Sequence, residues 1–149
     1  MSRAIATTLS ALALVGAIGL PIIPCLASAT SRPVQIGRFA AYGLGSLVCH
    51  QKPERSFWSC GRQWPVCGRC AGLYLGAAAG VIVGFAAPRR PGGSRDWRRR
   101  LLLAAAPTAA LWIVEMSGLW DPGTPLRAGL AGMLGLAGGI WLATVALGD

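Results

Sequence analysis

The sequence predicts an all-α fold, a small membrane bundle of about four transmembrane helices with one short interfacial or re-entrant helix. Three observations support this prediction. Of the 149 residues, 54% are hydrophobic and only 13% are charged, which is too apolar for a soluble domain of this size. Long apolar blocks are bounded by charges or prolines, and small residues recur at regular spacing inside two of these blocks.

Four apolar blocks approach the length of about 20 residues that a helix needs to cross the hydrocarbon core. These blocks are residues 4–27, 66–87, 101–120 and 126–147. The chain therefore divides into a first transmembrane helix (1–27), a connecting region (28–65) and a segment with three further transmembrane helices (66–149). The first block is also similar to a signal peptide, because Ala27-Ser28-Ala29 resembles a cleavage site. An uncleaved helix is favoured, since the apolar stretch exceeds the usual length of about 7 to 15 residues.

The connecting region contains a short apolar stretch and a motif rich in cysteine. Residues 34–48 are apolar but include Arg38, and they are too few to cross a bilayer. This stretch therefore predicts the interfacial or re-entrant helix, and the polar residues after it form a loop.

Small residues recur every fourth position in two of the predicted helices. Such spacing places them on one helix face, where they allow two backbones in lipid to approach closely, as in a glycine zipper. The two series are Gly68, Gly72, Gly76, Gly80 and Gly84, and then Ala131, Gly135, Gly139 and Ala143. We expect both series to be packing surfaces between helices.

The formal charge of +9 is distributed in a way that indicates membrane topology. Six arginines crowd the connection at 88–100, as expected of a cytoplasmic loop. If all four spans cross the membrane, we expect both termini inside and the cysteine motif outside. Five cations lie on the opposite side and must be functional or paired: Arg32, Arg38, Lys52, Arg55 and Arg62. Nucleic-acid binding is disfavoured, because no basic surface interleaved with aromatic residues accompanies the arginines. The expected partners are the lipid bilayer and a second copy of the chain or another membrane protein.

The single histidine and four of the five cysteines lie within residues 49–70. Thiolate and imidazole ligands in two clusters, Cys49 with His50 and Cys67 with Cys70, are typical of a zinc site. The sequence therefore predicts a metal site made by these four residues, with zinc favoured over iron or copper. Cys60 is a spare ligand for this site.

Two other functions remain open for the same residues. A thiolate at a helix start has a lowered pKa, so Cys67 and Cys70 could serve a membrane thiol or disulfide redox protein. Disulfides between Cys67 and Cys70, or between Cys49 and Cys60, belong to this interpretation. A metal transport or trafficking component would capture the ion transiently at the same ligands. Covalent haem is disfavoured, because Cys70 is followed by alanine and not by histidine. The sequence contains no recognised catalytic constellation, so it does not indicate an enzyme.

Charged residues outside the ligand set are expected to support it. Arg55 and Arg69 would balance thiolate charge, with Arg69 favoured because it lies within the motif. Glu115 lies in the third predicted span, where a carboxylate needs a partner such as Arg69, Arg127 or His50. An ion pair that joins helix ends and a role as metal or proton acceptor remain equally open for Glu115.

The motif resembles the signature of a known family. It reads Cys49-His50-Gln51, then Arg55-Ser56-Phe57, then Pro65-Val66-Cys67 and Arg69-Cys70, with Gly72, Tyr74 and Gly76 after it. This string is similar to the family catalogued as domain of unknown function 2085, and the resemblance covers roughly residues 35–145. It implies a small multi-helix protein of a prokaryotic cell membrane.

The resemblance also implies that Cys49, His50, Cys67 and Cys70 act as one site, and it implies no activity. Cys25 and Cys60 are additional cysteines of this chain. Near the last span, this chain departs from the family pattern of an Asp-Gly pair and a Ser/Asn stretch, because it has Glu115 and a compact Asp-Pro-Gly-Thr-Pro segment.

Overall fold

Five α-helices and one antiparallel hairpin account for the structured elements in the computed structural model, which describes residues 3–28, 31–86 and 94–147. Helices make up 83% of these residues. The elements are α1 (Arg3–Ile22) with a 3-10 turn (Ile23–Ser28), α2 (Arg32–Val48), a 3-10 turn (Pro53–Arg55), β1 (Ser56–Ser59), β2 (Arg62–Cys67), α3 (Gly68–Ala86), α4 (Ser94–Met116) and α5 (Gly123–Leu147). The prediction of a mainly helical fold is confirmed.

Three helical segments of the described chain are long and apolar enough to cross a membrane: Arg3–Leu26, Gly68–Ala86 and Gly123–Leu147. They correspond to the first, second and fourth predicted spans. The third predicted span falls on α4, whose first turns carry Arg98, Arg99 and Arg100. The apolar part of α4 begins only at Leu101, and α4 is not among these three segments. The prediction of a fourth transmembrane helix is therefore not confirmed.

The connecting region contains more regular structure than a loop. A short helix is present where residues 34–48 predicted one, and it begins with Pro33 in its first turn. The hairpin was not predicted. Its strands pair Ser59 with Arg62 across Cys60 and Gly61, which have φ values of 51° and 70°. Positive φ at both central residues defines a type I′ turn, whose twist suits a two-residue hairpin.

α3 and α5 run side by side in the same direction, and their small residues form the contact. A Cβ atom on Gly72, Gly76 or Gly80 would overlap the carbonyl oxygens of Ala128, Gly132 and Leu136, respectively. From one contact to the next, the position advances by four residues on α3 and by four residues on α5. The two helices are therefore parallel. The expected packing role of the four-residue spacing therefore has a direct physical basis, since the two backbones touch where no side chain intervenes.

α1 packs against both α3 and α5, and α4 packs against α5. The buried face of α1 carries Ala6, Ser10, Ala13 and Leu20, at intervals of three to seven residues. Large apolar side chains such as Leu12 and Val15 are exposed on its other face. This outward apolar surface is typical of a helix whose solvent is lipid.

Candidate metal centre

Gln51 fixes the chain that follows Cys49 against the hairpin. Its backbone adopts a left-handed φ of 46°, which turns the chain sharply. The side-chain Nε2 donates hydrogen bonds to the carbonyl oxygens of Tyr42 at 2.8 Å and Pro65 at 2.7 Å. The side-chain Nε2 of Gln63 donates in return to the carbonyl oxygen of Gln51 at 2.5 Å. These bonds tie the end of α2 to β2 and thereby place Cys49 beside the end of that strand.

Three cysteines from three elements meet at the beginning of α3. Cys49 caps the C-terminus of α2, Cys67 ends β2, and Cys70 lies in the first turn of α3. Their sulfur atoms all lie within 4.8 Å of one another. The three are free thiols, and the backbone N–H of Cys67 donates a hydrogen bond to Cys49 Sγ at 3.1 Å. Such a group of ligand atoms can hold a metal ion.

The sulfur of Cys67 occupies the position of a helix cap. Its pKa is lowered to about 5, first because the side chain of Cys70 donates a hydrogen bond to it. Hydrogen bonds from the backbone N–H of Cys70, the side chain of Cys49 and the backbone N–H of Arg69 add to this and outweigh burial. Donors of the first helical turn therefore stabilise the thiolate, as they stabilise other N-cap acceptors.

Apolar side chains surround the sulfurs. Cys49 belongs to a buried cluster with Leu20 of α1, Val66 of β2 and Ala71 of α3, and Phe57, Trp64 and Tyr74 pack against this cluster. Water is therefore kept from one side of the group. A dry shell strengthens electrostatic attraction between thiolates and a cation.

His50 does not join this group. Its side chain is exposed, whereas Cys49 beside it is buried. The backbone at Cys49 is extended, with φ −145° and ψ 139°, and neighbouring side chains on extended backbone project to opposite sides. The structure thus brings together Cys49, Cys67 and Cys70, three of the four ligands predicted from the sequence, and leaves His50 outside.

Cys60, the predicted spare ligand, forms a disulfide with Cys25. The bond joins the 3-10 turn after α1 to the tip of the hairpin. It takes up Cys60 and so replaces the suggested pairing of Cys49 with Cys60, whereas Cys67 and Cys70 are free thiols in this structure. A separation of 35 residues gave no signal for this pairing.

Glu115 links three helices through arginine. Its Oε2 lies 2.5 Å from Arg69 Nη2, and its Oε1 lies 3.0 Å from Arg127 Nε. Arg127 is 2% exposed and also reaches Asp121 Oδ1 at 2.7 Å. Both oxygens of Glu115 are therefore occupied by cations, which favours the helix-joining ion pair over a role as metal acceptor. The charge of Arg55 acts on Asp121, so neither predicted counter-cation is reserved for the sulfurs.

Comparisons with known proteins place these observations in a family. A family described as a predicted membrane protein, domain of unknown function 2085, matches residues 49–144. An uncharacterized protein of Methanothermobacter thermautotrophicus is 35% identical over 92 residues, which cover 60% of this chain and 81% of the relative. An uncharacterized protein of Methanocaldococcus jannaschii is 48% identical over 42 residues, and this stretch covers 28% of this chain and only 27% of that relative.

No solved structure matches the chain significantly. The family match covers well over half of the chain, includes all three clustered cysteines and extends through most of α5. The chain therefore belongs to the family of predicted membrane proteins called domain of unknown function 2085.

Proposed function

We propose that this protein is a multi-pass membrane protein in which Cys49, Cys67 and Cys70 bind a metal ion, with zinc favoured, at the membrane face where α3 begins. One observation carries the proposal: three free sulfurs lie within 4.8 Å of one another. Zinc–sulfur bonds of about 2.3 Å place the sulfurs of a tetrahedral site about 3.8 Å apart. The group has to contract by about 1 Å at most, which side-chain rotation can provide.

The surroundings of the sulfurs support a bound cation. The N–H of Cys67 and the first turn of α3 donate hydrogen bonds to sulfur, as outer-shell donors do in thiolate sites. Three protein ligands leave the fourth position of a tetrahedral site open. Water can fill this position, or His50 can reach it if the backbone at Cys49 changes conformation. Copper(I) also accepts three thiolates, so elemental analysis has to identify the metal.

The disulfide supports a location of the metal site on the outer face of the membrane. Disulfides persist in oxidising compartments, and Cys25–Cys60 is attached to the same hairpin whose second strand ends at Cys67. Arg98, Arg99 and Arg100 at the start of α4 would then lie inside, which agrees with the positive-inside rule. Three adjacent thiols in an oxidising compartment would form a disulfide unless they were protected. Coordination of a metal ion by the thiolates would provide this protection.

Elemental analysis of the detergent-purified full chain, with a thiol count in denaturant plus chelator, tests the metal site. We expect one metal ion per chain and three thiols that react only after the metal is removed. Cys67→Ser should abolish stoichiometric binding. The double variant Cys25→Ser/Cys60→Ser is the matched control, since it removes two sulfurs outside the group, and it should keep the metal. Full metal occupancy in Cys67→Ser would show that the ligands are misassigned.

Thiol redox chemistry is the second candidate, and the hydrogen-bonded pair Cys67 and Cys70 at the start of α3 favours it. A thiolate beside a second thiol in one helical turn is the arrangement that attacks a disulfide. The pair would become oxidised to a disulfide while a partner disulfide is reduced to two thiols. Protein isolated without metal, and with four of its five cysteines in disulfides, would establish this function instead.

A further inference from the structure

A pocket of about 380 Å³ lies between α2 and the hairpin, away from the three clustered sulfurs. Its walls combine two cations with aromatic and amide groups: Arg38, Phe39 and Tyr42 from α2, and Trp58, Arg62 and Gln63 from the hairpin. The pocket thus offers two guanidinium groups and an apolar rim to one ligand. Neither the metal site nor the redox reaction uses it.

The two arginines lack an anionic partner within the described residues. No carboxylate of segments 3–28, 31–86 and 94–147 forms a salt bridge with Arg38 or Arg62. The hydroxyl of Tyr42 donates to the carbonyl oxygen of Gln63 at 2.5 Å. Burial raises the pKa of Tyr42, whereas the positive charges of Arg38 and Arg62 lower it. Both guanidinium groups therefore lie close enough to the Tyr42 hydroxyl to act on it electrostatically. Two like charges that share a pocket repel each other until an anion enters it.

The surface around the pocket is suited to a bilayer interface. Phe39 is 83% exposed, Leu47 is 80% exposed, and Ile36 is also exposed on α2. A short helix with exposed apolar residues and an arginine lies in the headgroup region and buries its apolar side chains toward the acyl chains. Trp58 is exposed on the adjacent strand, and tryptophan is enriched at this depth. A ligand in the pocket therefore has one end in water and one end against lipid.

We propose that this pocket binds the phosphate headgroup of an anionic phospholipid. Arg38 and Arg62 donate charge-assisted hydrogen bonds to the phosphate oxygens, and Phe39 and Trp58 contact the glycerol and the first acyl carbons. This role accounts for two of the five cations expected on the outer side of the membrane, where cations are otherwise disfavoured. The proposal does not depend on the metal site.

Native mass spectrometry of the full chain in a neutral detergent tests this site. The protein is titrated with short-chain phosphatidylglycerol, with phosphatidylcholine of the same chain length, and with inorganic phosphate. We expect one tight phosphatidylglycerol and at least about tenfold weaker phosphatidylcholine binding, because the second lipid carries no net charge. Arg38→Gln/Arg62→Gln should weaken phosphatidylglycerol binding by about tenfold or more.

Arg32→Gln/Lys52→Gln is the matched control, since it removes the same charge from two exposed positions outside the pocket. It should change the affinity by less than about twofold. Circular dichroism confirms that each variant folds, and the two single arginine variants replace the double variant if it does not. Equal loss in the control, equal binding of the two lipids, or inorganic phosphate binding as tightly as the anionic lipid would overturn the proposal.

Discussion

Gly138 and Gly139 are adjacent on α5, and alanine should have opposite effects at these two positions. A Cβ atom on Gly139 would overlap the carbonyl oxygen of Ala77 and lie 2.8 Å from the backbone nitrogen of Val81. The optimum separation of such atoms is about 3.5 Å, so α3 and α5 would have to move apart by about 1 Å. A Cβ atom on Gly138 would meet nothing within 4 Å.

The expected magnitudes follow from these two environments. Overpacking at Gly139 should lower the free energy of unfolding by roughly 1–3 kcal/mol. Alanine at Gly138 should raise it by up to about 1 kcal/mol, because alanine favours a helix more than glycine does. Reversible unfolding in mixed micelles with increasing sodium dodecyl sulfate measures both values. Equal effects of Gly138→Ala and Gly139→Ala, within about 0.5 kcal/mol, would refute the backbone contact between α3 and α5.

Three further expectations concern the charge network and the disulfide. Glu115→Gln should destabilise the protein by about 3 kcal/mol in the same unfolding assay, because Arg69 loses the carboxylate it contacts and buried Arg127 keeps only exposed Asp121 among the described residues. Asp121→Asn should destabilise the protein less, because Asp121 is exposed. A hydrogen bond from the N–H of Gly123, and then the charge of Arg127, lower the pKa of Asp121. The ionised carboxylate therefore stabilises the fold above the ordinary pKa, and this stabilisation is lost as pH falls through the lowered pKa. Asp121→Asn should remove this part of the acid dependence of the unfolding midpoint. The intact mass of the non-reduced protein should include the first helix, because the Cys25–Cys60 disulfide keeps that helix attached even if the backbone is cut after Ala29. A non-reduced mass that begins at residue 30 would contradict the disulfide, and a reduced mass that begins there would show cleavage.

The helices were predictable because an apolar block of this length forms a helix in lipid, where its backbone groups must bond within the segment. Helices gain no hydrophobic attraction for one another in a bilayer, so a four-residue repeat of small residues has mainly a packing role. The hairpin was missed although it has a signal. Cys60-Gly61 is a turn pair with glycine at its second position, and Phe57, Trp58 and Trp64 nearby favour strands, whereas Pro65 within β2 disfavours one.

The sequence predicts the candidate site only where the spacing of residues along the chain determines how close their side chains lie. Cys67 and Cys70 are three residues apart at a helix start, so their proximity follows from the helix itself. Cys49 and His50 are adjacent, and which of them turns inward depends on the extended backbone that ends α2 and on the bonds of Gln51. The pairing of Cys25 with Cys60 requires the position of α1 relative to the hairpin, which no local pattern contains.

The beginning of α3 is where backbone packing, ion pairing and the sulfur cluster meet in the same few residues. Gly68 follows Cys67 directly, and a Cβ atom on it would lie 2.6 Å from Thr124 Cγ2, so α5 packs against the backbone between the clustered cysteines. Arg69 comes next and is bound to Glu115 of α4. The first turn of α3 is thereby held by α5 from one side and by α4 through charge. Cys67 and Cys70 are consequently positioned by contacts between helices, which would give the proposed metal site a rigid support.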